Sequence, residues 1–322
     1  MTDILMTETT EADEQSARLR AEAERVAKAH YPSVAAAARD SGIPESTFHA
    51  WLKDTYAGDN VKVAGNVAKW LAARAEREKA QAIRPVAPGF LLTPTALAML
   101  PILQFAQALP DFAVVTTAPG CGKTSLLEHY RDTTPNVWMA TMDPDTTGVN
   151  RMMGEICRSM GITEHSASKL SQAIGLRVKG LQGLILVDEA QFLSVKALEQ
   201  LRSIHAKYKV GVVLAGNRTV HANLYGGGHE DRGQLFSRVG AKHPHQSRPQ
   251  SGDICMLLDA WKITGAEERK FLKEVGNKVG ALRAMSKTIT AASMFAAGAG
   301  EAVALKHFQA AWKMLDVSLA EG

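Results

Sequence analysis

The chain has 322 residues, of which 46% are hydrophobic and 22% are charged, as in an ordinary globular protein. This composition excludes a disordered, collagen-like or rod-like chain, and the apolar runs fall well short of the roughly 20 residues that cross a bilayer. The acidic N-terminus is unlike a secretory signal, and three cysteines without metal-binding spacing favour a reducing compartment. We therefore expect a cytoplasmic protein of about two domains.

The net charge of +4 is unevenly distributed along the chain. Residues 1–24 hold seven acidic and two basic residues, whereas residues 25–84 and 196–248 have net charges of +4 and +6. Two basic blocks are what a polyanionic partner would require. Ordinary solvated surface charge explains the same pattern equally well, so charge alone leaves both interpretations open.

Residue patterning predicts five segments. Residues 1–30 form an acidic arm, mobile at its start, in which residues 16–30 can extend as a helix; residues 31–80 form a small helical domain, and residues 81–93 form a proline-containing linker. Residues 94–249 alternate apolar β-rich runs (113–117, 137–142, 184–188 and 210–216) with helical stretches, which is typical of a parallel sheet covered on both faces. Residues 250–322 show only helical spacing and form a separate subdomain.

A phosphate-binding loop is the strongest motif. Residues 117–124 read Thr-Ala-Pro-Gly-Cys-Gly-Lys-Thr, after a predicted strand and before a predicted helix. In such a loop Lys123 reaches the β- and γ-phosphates and the hydroxyl of Thr124 ligates Mg²⁺. Thr117 stands where glycine is usual, which removes backbone freedom but no phosphate donor. We predict contacts to ATP from Ala118, Pro119, Gly120, Cys121, Gly122, Lys123, Thr124 and Ser125.

Two further strand ends complete the predicted site. The run Leu-Ile-Leu-Val ends in Asp188 and Glu189. We predict that Asp188 holds Mg²⁺ together with Thr124, and that Glu189 is the general base for the attacking water. The next apolar run ends in Asn217, which either orients that water or simply starts a turn.

Residues 34–52 predict a helix-turn-helix. Ser41 and Gly42 end the first helix, and Pro44 begins the second. In a DNA-binding helix-turn-helix the second helix enters the major groove, and the exposed side chains expected to face DNA are Ser46, Thr47, His49 and Lys53. A plain helical hairpin that contacts protein remains the alternative.

The phosphate loop, the Asp-Glu strand end and Asn217 occur in an order that resembles the AAA+ ATPases. By this resemblance Arg238, or alternatively Arg232, is the arginine finger that completes a neighbouring subunit's site, and Arg283 is the lid arginine that contacts the γ-phosphate. A guanidinium can offset charge on transferred phosphoryl oxygens. The implied fold is α/β: an AAA+ P-loop NTPase core with a parallel sheet, a helical C-terminal lid and a small N-terminal all-α helix-turn-helix domain.

From about residue 33 to the end, the order of helix-turn-helix, linker, core and lid closely resembles the MuB family of phage transposition proteins. The resemblance implies a slow ATPase, stimulated by DNA and transposase, that uses ATP and Mg²⁺. It also implies a helical oligomer on target DNA, mostly without sequence preference, that delivers the DNA to a transposase in the host cytoplasm. For this DNA contact we single out Thr146, Thr147, Arg151, Arg177 and Lys179.

Other function classes stay open at this point. A helicase loader or an insertion-sequence helper ATPase shares the core motifs, although the upstream helix-turn-helix speaks against a bare loader. A DNA-binding regulator with a degenerate nucleotide site is supported only by Thr117. A small-molecule kinase is disfavoured because the sequence shows no acceptor motif.

Overall fold

The computed structural model describes residues 2–83, 85–164, 166–225 and 239–315. The chain divides into two compact units, Met1–Pro85 and Val86–Gly322. The first contains helices α1 (Thr2–His30), α2 (Val34–Ser41), α3 (Glu45–Leu52) and α4 (Asn60–Ile83). None of the described helices is both long enough and apolar enough to cross a membrane.

The predicted helix-turn-helix is present as α2 and α3. The hydroxyl of Ser33 caps α2 by accepting a hydrogen bond from the backbone N–H of Ala36, and Gly42 ends the helix with a φ of 70°. Phe48 and Trp51 of α3 are fully buried in the core of this unit. Burial of the two aromatic side chains fixes the angle of α3 and turns its polar side outward.

The acidic arm differs from the expectation. Residues 2–30 form one helix, and Ala23 and Ala27 of this helix are buried in the same core as Phe48. The two alanines are four residues apart and so share one helix face, which lets α1 approach the helix-turn-helix closely. The predicted boundary at residue 30, between the arm and the helical domain, therefore does not separate two packing units, because residues on both sides of it share one core.

Among its described residues, the second unit contains a five-stranded parallel sheet in the order β2-β3-β4-β1-β5. The strands and helices in chain order are α5 (Pro94–Ala108), β1 (Phe112–Thr116), α6 (Lys123–Thr133), β2 (Val137–Thr141), α7 (Val149–Ser159), α8 (Leu170–Val178), β3 (Leu184–Asp188), α9 (Val195–Tyr208), β4 (Gly211–Gly216), α10 (Arg218–Tyr225) and β5 (Val239–Lys242). The first four strands are those that the apolar runs predicted. The short strand β5 at the edge of the sheet was not predicted, because its alternating exposure dilutes the apolar signal.

Each face of the sheet is covered by helices. Phe112 and Val114 of β1 belong to one buried cluster, with side chains of α7, α8 and α9, whereas Ala113 and Val115 belong to another, with α5 and α6. Because successive side chains of a strand point to opposite faces, an unbroken apolar strand requires cover on both sides. This arrangement leaves the carboxyl edge of the sheet free for a site.

Four described helices follow the sheet and share their own apolar core: α11 (Ser251–Ala260), α12 (Ala266–Gly276), α13 (Ala281–Gly298) and α14 (Leu305–Leu315). A buried carboxylate connects them to the sheet domain. Asp253 in α11 accepts hydrogen bonds from the backbone N–H of Thr95 at 2.8 Å and of Gln250 at 2.6 Å, and also from the Thr95 hydroxyl. Since a buried charge needs such partners, this network fixes the start of α11 against the start of α5.

Candidate active site

The carboxyl ends of three neighbouring strands bring the predicted nucleotide residues together. The phosphate loop follows β1, Asp188 and Glu189 end β3, and Asn217 follows β4, which lies between β1 and β3. In an open parallel sheet this edge is where ligands bind. The topology therefore assembles one site from residues that are distant in sequence.

The loop between β1 and α6 has the backbone shape that a phosphate requires. Gly120 and Gly122 have φ values of 83° and 89°, a region that favours glycine. Within the described part of the chain no side chain caps the N-terminus of α6, so the backbone N–H groups of its first turn remain available to an anion. Thr117 has no positive φ and its N–H donates to the carbonyl of Gly216, so threonine replaces the usual glycine there without backbone strain.

Lys123 and Thr124 converge on Asp188. The Nζ atom of Lys123 lies 3.2 Å from Oδ1 of Asp188, and the hydroxyl of Thr124 donates to Oδ2 at 2.7 Å. Asp188 is 1% exposed and Lys123 is 9% exposed, so the charges neutralise one another in a poorly solvated position. A hydroxyl and a carboxylate are hard oxygen ligands, which suits Mg²⁺.

The described residues contain no group of three or more His, Cys, Asp or Glu side chains that could hold a metal ion. At a phosphate-binding loop, Mg²⁺ uses one or two protein oxygens and takes its other ligands from phosphates and water. Thr124 and Asp188 thus fit the ion, and the loop fits the phosphates.

Glu189 is held in an unusual backbone conformation beside Lys123. Its φ is 54°, and Oε1 lies 3.9 Å from Nζ of Lys123. Its other carboxylate oxygen, Oε2, accepts a hydrogen bond from the amide of Gln191, a residue that we did not single out from the sequence. The only feature of the sequence that points to Gln191 is its position two residues after the predicted base, Glu189.

Asn217 makes a local contact with its side chain. Its Oδ1 accepts from the backbone N–H of Thr219 at 2.8 Å, as an asparagine that starts a turn does. Its backbone N–H donates to Oε1 of Gln191 at 3.3 Å. The geometry thus matches the turn alternative, and the catalytic role of Asn217 stays a prediction.

The side chain of Cys121 is buried within the loop. Burial raises the pKa of its thiol to about 11, and the nearby carboxylate of Asp253 adds to the effect. The group is therefore a neutral thiol at physiological pH and not a nucleophile. Only the backbone of Cys121 is suited to contact a phosphate.

The helical subdomain approaches the phosphate loop closely at a backbone position. A Cβ atom on Gly120 would lie 2.0 Å from the carbonyl oxygen of Gly280, the residue just before α13. Arg283 is exposed in the first turn of α13. Both arginine-finger candidates, Arg238 and Arg232, lie outside the described residues.

The predicted DNA-contacting residues of the sheet domain differ in their surroundings. The structure corrects the prediction that Thr146 contacts DNA. This residue is 5% exposed, and its hydroxyl accepts a hydrogen bond from the backbone N–H of Asp143 in a capping box before α7. Its side chain therefore does not face solvent. Thr147, Arg151, Arg177 and Lys179 are exposed. Arg151 donates to the carbonyl of Asp145 at 2.9 Å, and the Arg177 guanidinium lies 5.5 Å from the Trp138 ring centroid.

In the N-terminal unit, three of the four predicted DNA-contacting residues are exposed. Ser46 and His49 lie on the outer side of α3 and Lys53 lies at its end, whereas Thr47 is half-buried. This exposed surface is compatible with entry into a groove and equally with contact to a protein.

Comparison with known proteins identifies the family. Residues 237–315 match the family described as "Mu B transposition protein, C terminal", and residues 108–224 match an AAA domain. The ATP-dependent target DNA activator B of Escherichia phage Mu is 34% identical over 285 residues, which cover 88% of this chain and 90% of that protein. The Mu-like prophage FluMu DNA transposition protein B of Haemophilus influenzae is 32% identical over 258 residues, 78% of this chain and 88% of that protein.

Among solved structures, domain III of the Thermotoga maritima replication initiation protein DnaA is 17% identical, with a TM-score of 0.47, and the match covers 70% of this chain and 93% of that one. The relatives at 32–34% identity cover most of both chains. The chain belongs to the Mu B family of phage transposition proteins.

Proposed function

We propose that this chain is an ATPase that binds duplex DNA when ATP is bound, assembles on it as a helical filament and presents that target DNA to a transposase. The observation that carries the proposal is the convergence of Lys123 and Thr124 on Asp188 at the edge of a parallel sheet. The proposal is supported by relatives whose names describe an ATP-dependent target DNA activator.

In the proposed reaction the loop backbone and Lys123 bind the phosphates of ATP. Thr124 and Asp188 would hold Mg²⁺, which would supply positive charge to offset that of the phosphates. Glu189 takes a proton from water while the water oxygen forms a bond to the γ-phosphorus. The bond to the β–γ bridging oxygen breaks, and its electron pair leaves on ADP.

Assembly is proposed to depend on ATP through the subunit interface. If Arg238 of one subunit contacts the ATP of the next, ATP stabilises the oligomer by its difference in affinity for the two states. Hydrolysis then removes that stabilisation and releases the DNA. Arg283, at the start of α13, would report the γ-phosphate to the helical lid.

Electron microscopy of the full chain with duplex DNA tests the proposal under three conditions: ATP, ADP and no nucleotide. We expect filaments with ATP alone. Closed rings would indicate a helicase loader or helper ATPase, and DNA binding that is indifferent to nucleotide would indicate a regulator. Either result would contradict the proposal.

A further inference from the structure

Gln191 connects the proposed catalytic base to the neighbouring strand. The amide group of Gln191 donates to Oε2 of Glu189, and its Oε1 accepts from the backbone N–H of Asn217 at 3.3 Å. The side chain thus spans from the end of β3 to the end of β4. Neither contact belongs to the phosphate loop or to the magnesium residues.

The chemistry of the two partners fixes the orientation of the amide. A backbone N–H can only donate, so the oxygen of Gln191 must face Asn217. An ionised carboxylate can only accept, so the amide nitrogen must face Glu189. Glutamine satisfies both partners at once, whereas glutamate lacks the donor and would place a second negative charge beside the first.

The surrounding residues hold Gln191 in this position. The side-chain amide of Asn223 donates to the backbone carbonyl of Gln191 at 3.0 Å. Gly216, the last residue of β4, leaves room for the glutamine: a Cβ atom at position 216 would lie 2.4 Å from Oε1 of Gln191. The side chain of Gln191 can therefore approach this closely only because residue 216 is a glycine and has no side chain of its own.

The two oxygens of Glu189 consequently have separate environments. Oε2 is bonded to Gln191, whereas Oε1 lies 3.9 Å from the Nζ atom of Lys123, on the side where the phosphates bind in the proposed function. A catalytic base is effective when a third group orients it. We propose that Gln191 is a positioning residue that holds Glu189 by Oε2, couples it to the end of β4 and leaves Oε1 to receive the proton from water. This inference rests on the proposed ATPase function.

Steady-state ATP hydrolysis by the full chain at pH 7, with saturating duplex DNA and varied ATP, tests the inference. Gln191→Glu removes the donor to Oε2 and places a second negative charge beside it, so Glu189 is no longer held in position. We expect kcat to fall by about tenfold or more, since a correctly oriented base contributes roughly 10²–10⁴-fold. KM for ATP should stay within about twofold, so that the loss is confined to kcat. A purely structural role would disturb nucleotide binding as well and would raise KM together with the loss of kcat.

A second substitution of Gln191 and a matched control variant complete the test. Gln191→Met keeps the length of the side chain without a donor and should also lower kcat at unchanged KM. Gln200→Glu is the matched control, because Gln200 bonds to Ser171 in helix packing away from the site and its substitution makes the same charge change. Its kcat and KM for ATP should equal those of the parent chain.

The outcomes separate the inference from the function on which it rests. If Glu189→Gln abolishes hydrolysis but both Gln191 variants keep the parental kcat, the positioning role is overturned and the ATPase proposal stands. If the parent chain neither binds nor hydrolyses ATP, the proposed function fails, and the inference fails with it.

Discussion

The carbonyl oxygen of Gly280 occupies the space that any side chain on Gly120 would need, 2.0 Å from the position of a Cβ atom. One glycine is in the phosphate loop and the other directly precedes α13, so the loop and the helical lid meet through backbone atoms at this point. Both glycines also have left-handed φ values, 83° and 90°. A nucleotide that binds the loop is therefore in a position to influence the lid through this contact.

Gly120→Ala should weaken ATP binding. The alanine would be strained at a φ of 83° and would push against a backbone atom, which has no free rotation by which to move away. A cost of about 1–3 kcal/mol corresponds to roughly a 5- to 150-fold loss of affinity. Titration with a fluorescent ATP analogue measures the effect.

The matched control for this substitution is Gly154→Ala. Gly154 lies inside α7, has open space around its added Cβ among the described residues, and does not have a positive φ. Alanine there should leave ATP affinity unchanged and raise stability by up to about 1 kcal/mol, because alanine favours helix. Equal affinities for the two variants would contradict the steric argument.

Lys123→Ala and Glu189→Gln should fail at different steps. Without Lys123 the phosphates lose their cation, so nucleotide binding and assembly on DNA should both be lost. Glu189→Gln should still bind ATP and remain assembled on DNA, because only the proton acceptor is missing. ATP turnover and filament lifetime, measured together, distinguish the two. A Glu189→Gln variant with the parental turnover would remove Glu189 as the base.

Asp253→Ala should destabilise the sheet domain and lid by about 3 kcal/mol. The substitution leaves the buried N–H group of Thr95 and the partly buried N–H group of Gln250 without their acceptor, and hydrogen bonds to a charged group contribute roughly 1.5–3 kcal/mol each. Denaturant unfolding measures this loss. The control is Asp259→Ala in the same helix: Asp259 is 67% exposed and pairs with Arg269, so its removal should cost under about 1 kcal/mol. Similar losses for both would argue against the buried network.

The parts of this molecule that could be predicted from sequence are those encoded locally. Strands β1 to β4 are short apolar runs, and the phosphate loop is contiguous, so both were predictable. The close contact between Gly120 and Gly280 could not be predicted, since it joins positions 160 residues apart and depends on tertiary packing alone. Gln191 was missed for a related reason: its partners, Glu189 and the N–H of Asn217, are brought together only by sheet order. Thr146 was predicted to contact DNA, but its hydroxyl accepts a hydrogen bond from the backbone N–H of Asp143 in a capping box, so it is buried.

The carboxyl group of Asp40 should make the N-terminal unit sensitive to acid. Hydrogen bonds from Tyr31 and Trp70, with the charge of Arg77, hold the pKa of Asp40 below its ordinary value of 3.8. A lowered folded-state pKa means that this stabilisation is complete above pH 3.8 and is lost as the pH falls through the folded-state pKa.

The indole N–H of Trp70, which donates to Asp40 at 2.8 Å, offers a direct probe of this titration. Its proton resonance should shift with a midpoint below pH 3.8 in the parent chain, and Asp40→Asn should abolish the shift. A midpoint at or above the ordinary value would show that the three partners do not favour the charged form.

Arg151→Ala combined with Lys179→Ala should lower DNA affinity without changing ATP binding. Both side chains are exposed on the sheet domain, and removing one ion pair with a DNA phosphate should reduce the slope of log affinity against log salt by about 0.9. Arg131→Ala with Lys306→Ala is the control, because it removes the same charge at positions that we did not predict to contact DNA. The control side chains pair with Asp132 and Glu301, as Arg151 pairs with Asp145, so the comparison also includes the loss of surface ion pairs. Fluorescence anisotropy with labelled duplex, repeated across a salt series, measures the slopes. If the two double variants show the same decrease in affinity, the effect is one of net charge; if neither shows a decrease, DNA binds another surface.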